Sequence, residues 1–286
     1  MKNSSSATDL SSLDTVPFTY DSQKRRSPAL EELLDILQYR DLIFQLVRRD
    51  IVARYKRSIL GIAWTMLQPL GMMVVLTLVF SQLFGRVEGY AAYLLSGLIA
   101  WTFFAQTTTG AIFQSVWGGA LMRRIYIPHT AFSVASIGTG VVNLALSLVP
   151  LFLVLVVLRR PITWAILFLP IAMLSLTAFT LGVGLLLSSL AVRFPDISEM
   201  YQILIQAWMY LTPILYPSDI LPDTYRHWLL YFNPMYYQIL MFRVPLYDGV
   251  LPSLPLVLIG VGVAFVTLVI GWIYFSYQAD KFAYQA

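Results

Sequence analysis

The sequence predicts an all-α membrane protein: about six transmembrane helices behind an N-terminal amphipathic interface helix, with both chain ends on the cytoplasmic side. Three observations predict it. First, 58% of the 286 residues are hydrophobic and only 12% are charged, with a mean hydropathy of +0.71. A soluble domain carries about 25% charged residues, so this chain has too few charges to coat a surface that faces water. Second, six apolar runs approach or exceed the roughly 20 residues that cross a hydrocarbon layer. Third, Lys and Arg gather in alternate connections between those runs, as the positive-inside rule requires.

Residues 1–28 are rich in Ser, Thr and Asp and read as a disordered cytoplasmic tail. No apolar stretch precedes residue 60, so no signal peptide is expected. Ser27-Pro28 is a helix-start signal, a capping residue followed by a proline tolerated at the first helical position. Residues 29–57 then alternate between two faces. Leu30, Leu33, Leu34, Leu37, Ile43, Phe44, Val47 and Ile51 recur at helical spacing among Glu31, Glu32, Asp35, Arg40, Arg48, Arg49 and Asp50. Such a segment is too charged to span a bilayer and fits a helix lying in the interface. Residues 58–286 form the transmembrane domain, with spans at about 61–84, 91–116, 131–158, 162–190, 199–216 and 252–276. Pro69, Pro150, Pro170 and Pro213 fall inside or at the ends of these runs, which membrane helices tolerate when neighbours satisfy the freed carbonyls. The long third and fourth runs are expected to tilt or kink.

Orientation comes from the 19 Lys and Arg residues. With the N-terminus inside, only Arg86, Arg159, Arg160, Arg226 and Arg243 fall outside. The Arg159-Arg160 pair is the one local contradiction to that asymmetry. Two connections stand out. Residues 117–130 make a cytoplasmic loop in which Gly118-Gly119 break the preceding helix and Pro128 closes the segment, leaving room for about two helical turns between them. Residues 217–251 make a long outer segment, broken at Asn233-Pro234. Its Tyr225, Trp228, Tyr231, Tyr236 and Tyr237 suit headgroup depth or a segment that dips back into the membrane.

Much chemistry is excluded. There is no cysteine, hence no disulfide, thiolate or Cys metal site. His129 and His227 lack the spacing of a metal pair. The net charge of +4 reports topology and anionic headgroups, not a nucleic-acid partner. No G-x-x-x-x-G-K-[ST] phosphate loop, H-E-x-x-H or G-x-S-x-G occurs. Asp196 and Glu199 are the nearest candidates for acid–base chemistry, and they stand where acids favour a helix N-terminus. The runs carry almost no ionisable residues, unlike ion-coupled carriers. A passage through this protein would be lined by uncharged groups, and its driving force would come from elsewhere. Phe80, Gln82, Trp101, Phe104, Gln106, Gln206, Trp208 and Tyr210 are candidates for the lining. Aromatic faces and amides suit sugars, whose C–H faces pack on rings and whose hydroxyls bond amides. The same aromatics can equally face lipid or neighbouring helices.

The stretch Tyr39–Leu70, YRDLIFQLVRRDIVARYKRSILGIAWTMLQPL, resembles the N-terminal region of type-2 ABC transporter permeases. The likeness is to the branch exporting polysaccharides and polyol phosphates, the O-antigen, capsule and teichoic-acid permeases. Arg49-Asp50, Arg54-Tyr55-Lys56, Ser58, Leu60-Gly61, Trp64 and Pro69-Leu70 carry it. Arg193-Phe194-Pro195-Asp196-Ile197, Tyr210-Leu211-Thr212-Pro213-Ile214-Leu215-Tyr216 and Asn233-Pro234-Met235 extend it over about residues 30–280.

The resemblance implies a multi-pass permease of the bacterial cytoplasmic (inner) membrane, not an enzyme. Two copies would line one path for a lipid-linked polysaccharide, above two copies of a nucleotide-binding ATPase subunit. ATP and Mg would sit on that partner, leaving this chain without a cofactor. The loop at 117–130 then looks like a coupling helix, with Leu121, Met122, Ile125 and Tyr126 packing in the ATPase cleft and Arg123 and Arg124 as charge partners. Residues 217–251 look like extracellular gate helices. Arg54, Lys56 and Arg57 meet the inner headgroups, where they either attract a substrate phosphate or simply anchor the first span. Two other readings are weighed against this one: a drug or small-molecule exporter permease, and a membrane-embedded glycan-modifying enzyme.

Overall fold

The computed structural model describes residues 34, 36–56, 58–117 and 129–285, and the described chain is helical throughout, with no strand. We number nine α-helices: α1 Arg40–Tyr55, α2 Ala63–Phe80, α3 Tyr90–Trp117, α4 His129–Val157, α5 Leu169–Arg193, α6 Ile197–Leu211, α7 Asp223–Tyr231, α8 Pro234–Arg243 and α9 Leu254–Gln285. A 3₁₀ turn, Trp164–Phe168, leads into α5, and its start is capped by the Thr163 hydroxyl, which accepts from Ala165 N. A π turn, Val244–Asp248, ends α8 and closes on Gly249 in the left-handed region.

Among the described residues, four stretches are long and apolar enough to cross a membrane: Ala63–Phe80, Thr130–Val157, Trp164–Arg193 and Leu254–Gln278. Helix α3 has the length, at 28 residues, but a more mixed composition. Its position accounts for that. It packs against α2, α4, α5, α6 and α8, so most of its surface meets protein and not lipid. Leu94, Leu95, Ile99 and Phe104 are fully buried along it, beside buried Ser96, Thr107 and Thr108. Helix α6 is only 15 residues, or about 22 Å. It is shorter than the 199–216 run, because the chain leaves helical geometry at Thr212.

Close backbone approach sets the tightest pairing, α5 on α9. A Cβ at Gly271 would lie well inside contact with the Gly182 carbonyl, and one at Gly182 would meet the Thr267 backbone. Small residues let membrane helices gain van der Waals contact that larger side chains would forbid. The core itself is aromatic. Phe104 stacks on Phe179 at 5.4 Å between centroids and meets Trp208 edge-on at 5.3 Å, while Trp101 meets Trp208 edge-on at 6.2 Å.

Helix α1 lies across the inner end of the bundle. Leu46 packs with Ala131, Phe132 and Ala135 of α4, flanked by Leu42, Ile43 and Val47. Gly138 makes the approach possible, since a Cβ there would lie 2.8 Å from Val47 Cγ2. The opposite face of α1, including Phe44, is exposed. Helices α2 and α6 are sparsely covered. Only Pro69 and Met73 of α2 and only Tyr201 of α6 are buried.

Candidate functional site

Two polar regions occupy opposite ends of α3. At the inner end, α1, α3 and α4 enclose a crevice of about 250 Å³. On α3, Gln106, Gly110 and Gln114 recur every fourth residue and so share one helix face. Ser136, Thr139 and Asn143 face them from α4, and Asp50 and Arg54 close the mouth from α1. Gly140 again makes room, because a Cβ there would collide with Thr107 and lie 3.0 Å from Phe103.

Asp50 ties these helices together. Its carboxylate accepts from Gln114 Nε2 at 3.1 Å and from Arg49 Nε and Nη2 at 3.0 and 2.8 Å. A neighbouring pocket of about 310 Å³ continues the crevice past Arg54 to Trp64, Thr65 and Gln68. There Gln106 Nε2 donates to Gln68 Oε1 at 3.2 Å. Polar groups at this depth are costly to leave against lipid. The amides and hydroxyls that share this lining with Phe103 and Trp64 therefore mark a space for water or for a hydroxyl-rich cargo.

At the outer end, α6 stops within the bundle and its last carbonyls lose their helical partners. The carbonyls just beyond it each find a donor. Arg243 Nη1 donates to Pro213 O at 2.8 Å and Nη2 to Ile214 O at 3.2 Å. Tyr90 donates to Leu215 O at 2.6 Å, and Tyr93 to Tyr216 O at 3.0 Å. Arg243 is 4% exposed. Its Nη1 also donates to the Tyr93 hydroxyl at 2.8 Å, and its guanidinium lies 3.7 Å from the centre of the Tyr93 ring. Gly97 leaves the space, since a Cβ there would sit 2.6 Å from Nη2.

Asn233 holds the other side of the break. Its Oδ1 accepts from Trp208 Nε1 at 2.9 Å and Met235 N at 3.1 Å, and its Nδ2 donates to Thr212 Oγ1 at 2.8 Å. Gln238 Nε2 donates to Gly260 O at 2.8 Å and its Oε1 accepts from Ser175 at 2.9 Å, which fixes α8 to α9 and α5. The hairpin α7–α8 is thus anchored through α8, while α7 is largely exposed. Beyond α8, burial pushes the Tyr247 phenol up, and the nearby Arg160 opposes it.

The structure scatters the candidates read from the sequence. Gln106 lines the inner crevice and Arg54 its mouth. Lys56 is exposed just past α1. Arg57 and the coupling residues Leu121, Met122, Arg123, Arg124, Ile125 and Tyr126 lie outside the described residues. Gln206 and Tyr210 sit on the open face of α6, and Gln82 is exposed on the outer loop. Phe80 is half-buried and stacks on Phe84. Trp101 and Phe104 are buried inside the bundle, and Trp208 is half-buried with its indole N–H committed to Asn233. Tyr225, Trp228 and Tyr231 are exposed on α7. Tyr236 is half-buried and Tyr237 buried on α8.

Asp50, Tyr90, Tyr93 and Arg243 emerge as site residues only from the structure, whereas Gln114, a polar residue within an apolar run, is also a lining candidate by sequence. Arg243 had a signal: a lone cation in an aromatic and aliphatic stretch at membrane depth demands a partner. Counting it only as an outward charge hid that.

A family described as ABC-2 type transporter matches residues 41–247. The O-antigen export system permease protein RfbA of Myxococcus xanthus is 30% identical over 222 residues, which cover 77% of this chain and 85% of that protein. A protein of the same name from Klebsiella pneumoniae is 25% identical over 214 residues, covering 74% and 82%. The capsule polysaccharide export inner-membrane protein CtrC of Neisseria meningitidis is 23% identical over 218 residues, covering 74% and 81%.

Proposed function

Since the chain belongs to the ABC-2 type transporter family, we propose that it is the permease subunit of an ATP-driven exporter carrying a cell-surface polysaccharide across the bacterial cytoplasmic membrane. The similarity to O-antigen and capsule permeases supports this substrate class over a drug or a chemical modification of glycan. The observation that carries the reading is the polar crevice beside α3, uncharged along α3 and α4 and with Asp50 and Arg54 at its mouth, which runs into the membrane from the end where α1 lies. Amides and hydroxyls there suit sugar hydroxyls, and nothing in the crevice supplies energy.

Energy then comes from a partner. In our reading, two copies of this chain pair through the uncovered faces of α2 and α6, and two ATPase subunits dock beneath them. Closure of the ATPases on ATP would move a short helix in the 117–130 loop, with Arg123 and Arg124 as charge partners. Helix α1 would move with it. Its ties to α4 through Leu46 and to α3 through Asp50 and Gln114 would pass that motion to the walls of the crevice. Arg54, with Lys56 and Arg57, would hold a lipid-linked phosphate at the mouth.

The test is reconstitution in proteoliposomes with the ATPase partner and the lipid-linked glycan. Glycan should reach the far side only with ATP and with both proteins present. Uphill movement without any ATP-hydrolysing companion refutes the proposal.

A further inference from the structure

The outer end holds a second polar pocket, separate from the inner crevice and bordering the break after α6 through Tyr93. Residues 81–89, residues 158–163 and the π turn after α8 converge there around an open space of about 540 Å³. Its charged lining is Arg86, Glu88, Arg160 and Asp248, with Tyr247 beside them. Val87, Pro161 and Pro217 supply apolar walls.

Arg160 is built into this pocket. Its Nη2 donates to Glu88 O, and its guanidinium lies 4.8 Å from the centre of the Tyr247 ring. Tyr247 in turn donates to Glu88 O at 2.6 Å. Gly89, at φ +63°, takes the left-handed backbone and makes room as well, since a Cβ there would lie 2.8 Å from Arg160 Nε. The preceding residue, Arg159, is held at φ +52°, a conformation uncommon for side chains of its size. Strain of this kind persists where surrounding structure enforces it. Here it delivers Arg160 to the pocket, and so gives a physical reason for an arginine pair that the charge asymmetry alone does not predict. The side chains of Arg86 and Asp248, by contrast, make no hydrogen bond or close ion pair among the described residues, although Arg243 and Arg160 act on the Asp248 carboxylate from a distance.

We propose that this pocket binds a neutral glycosyl unit of the exported polymer on the outer side of the membrane. The inference rests on the export reading for the identity of its ligand. Two guanidinium groups and two carboxylates offer donors and acceptors with no net charge, which suits sugar hydroxyls that both donate and accept. The two carboxylates disfavour a phosphate in the same space. The apolar walls accommodate the C–H faces of a ring, and the volume falls within the roughly 300–1,000 Å³ of small-molecule sites.

The absence of cysteine makes a direct test possible. A Val87→Cys variant, assembled with its ATPase and treated with a membrane-impermeant maleimide, reports on the pocket wall. The probe is oligosaccharide released by mild acid from the surface polysaccharide of the source cell. It should slow labelling at least about five-fold, and inorganic phosphate should not. Adding Arg86→Gln and Asp248→Asn should abolish that protection without changing the unprotected labelling rate. Pro217→Cys gives the same readout from another wall if position 87 does not tolerate the change. Unslowed labelling in a complex that still exports glycan overturns this inference alone. So does equal protection by phosphate, or an absence of labelling from the outer side. Loss of both protection and export overturns the export reading with it.

Discussion

Replacing Arg243 by Met keeps most of the side-chain volume and removes every donor. Pro213 O then retains only the Tyr93 hydroxyl at 3.5 Å, and Ile214 O loses the guanidinium that serves it. Each buried carbonyl left without a donor costs about 1–3 kcal/mol. Relief of burying the cation offsets part of that sum. A net loss of about 2–4 kcal/mol is expected. Arg243→Lys should fall between Met and wild type, because one ammonium cannot reproduce the forked contacts to two carbonyls and a ring. The assay is retention of folded permease–ATPase complex in mild detergent over a temperature series, read by size exclusion, with glycan export measured in parallel. The Met variant should lose its folded peak well below the wild-type temperature, and Lys at an intermediate one. Equal stability of wild type and Arg243→Met would show that the carbonyls of the break need no buried cation, and the role given to Arg243 at the outer end would be refuted.

Four further outcomes are expected. Asn233→Ala strands the Trp208 indole N–H and releases Met235 N and Thr212 Oγ1; it should cost about 1–3 kcal/mol, and Asn233→Asp, which keeps the acceptor, should cost less in the same thermal series. Gly271→Leu forces a side chain into the Gly182 backbone, where neither helix can yield locally, so membrane-inserted chain should accumulate without assembling into a complex on native gels. Gln114→Leu, combined with Asp50→Asn, cuts the tie between α1 and α3; export should fall while ATPase association persists, whereas charge reversal at Arg123 and Arg124 should reduce both, and undiminished association there removes them from the coupling role.

The helical membrane class was legible because it rests on bulk quantities. Long apolar runs with few charges have one stable arrangement in lipid, with backbone groups satisfied inside helices. The absence of a phosphate-gripping loop was equally a fact of sequence, since such a loop is local and contiguous. The break at Thr212–Pro213 could be anticipated from the proline, but not what satisfies it. The donors come from Tyr90 and Tyr93 on α3 and Arg243 on α8, remote in sequence from the carbonyls they serve.

Burial divided the candidates that periodicity could not. Trp101, Phe104 and Tyr210 look alike as aromatics within apolar runs. Only the packing of α3 at the centre of the bundle turns the first two inward, and only the sparse cover of α6 leaves the third exposed at 55%. Glycine worked the same way. Gly97, Gly140, Gly182 and Gly271 carry no chemistry in the sequence, yet each marks a place where another group must come closer than a Cβ allows. What the sequence determined by itself was the solvent each segment needs, because transfer free energy sums over neighbouring residues. What only the tertiary structure decided was which polar atoms meet, because a hydrogen bond depends on a distance between groups that the chain order leaves far apart.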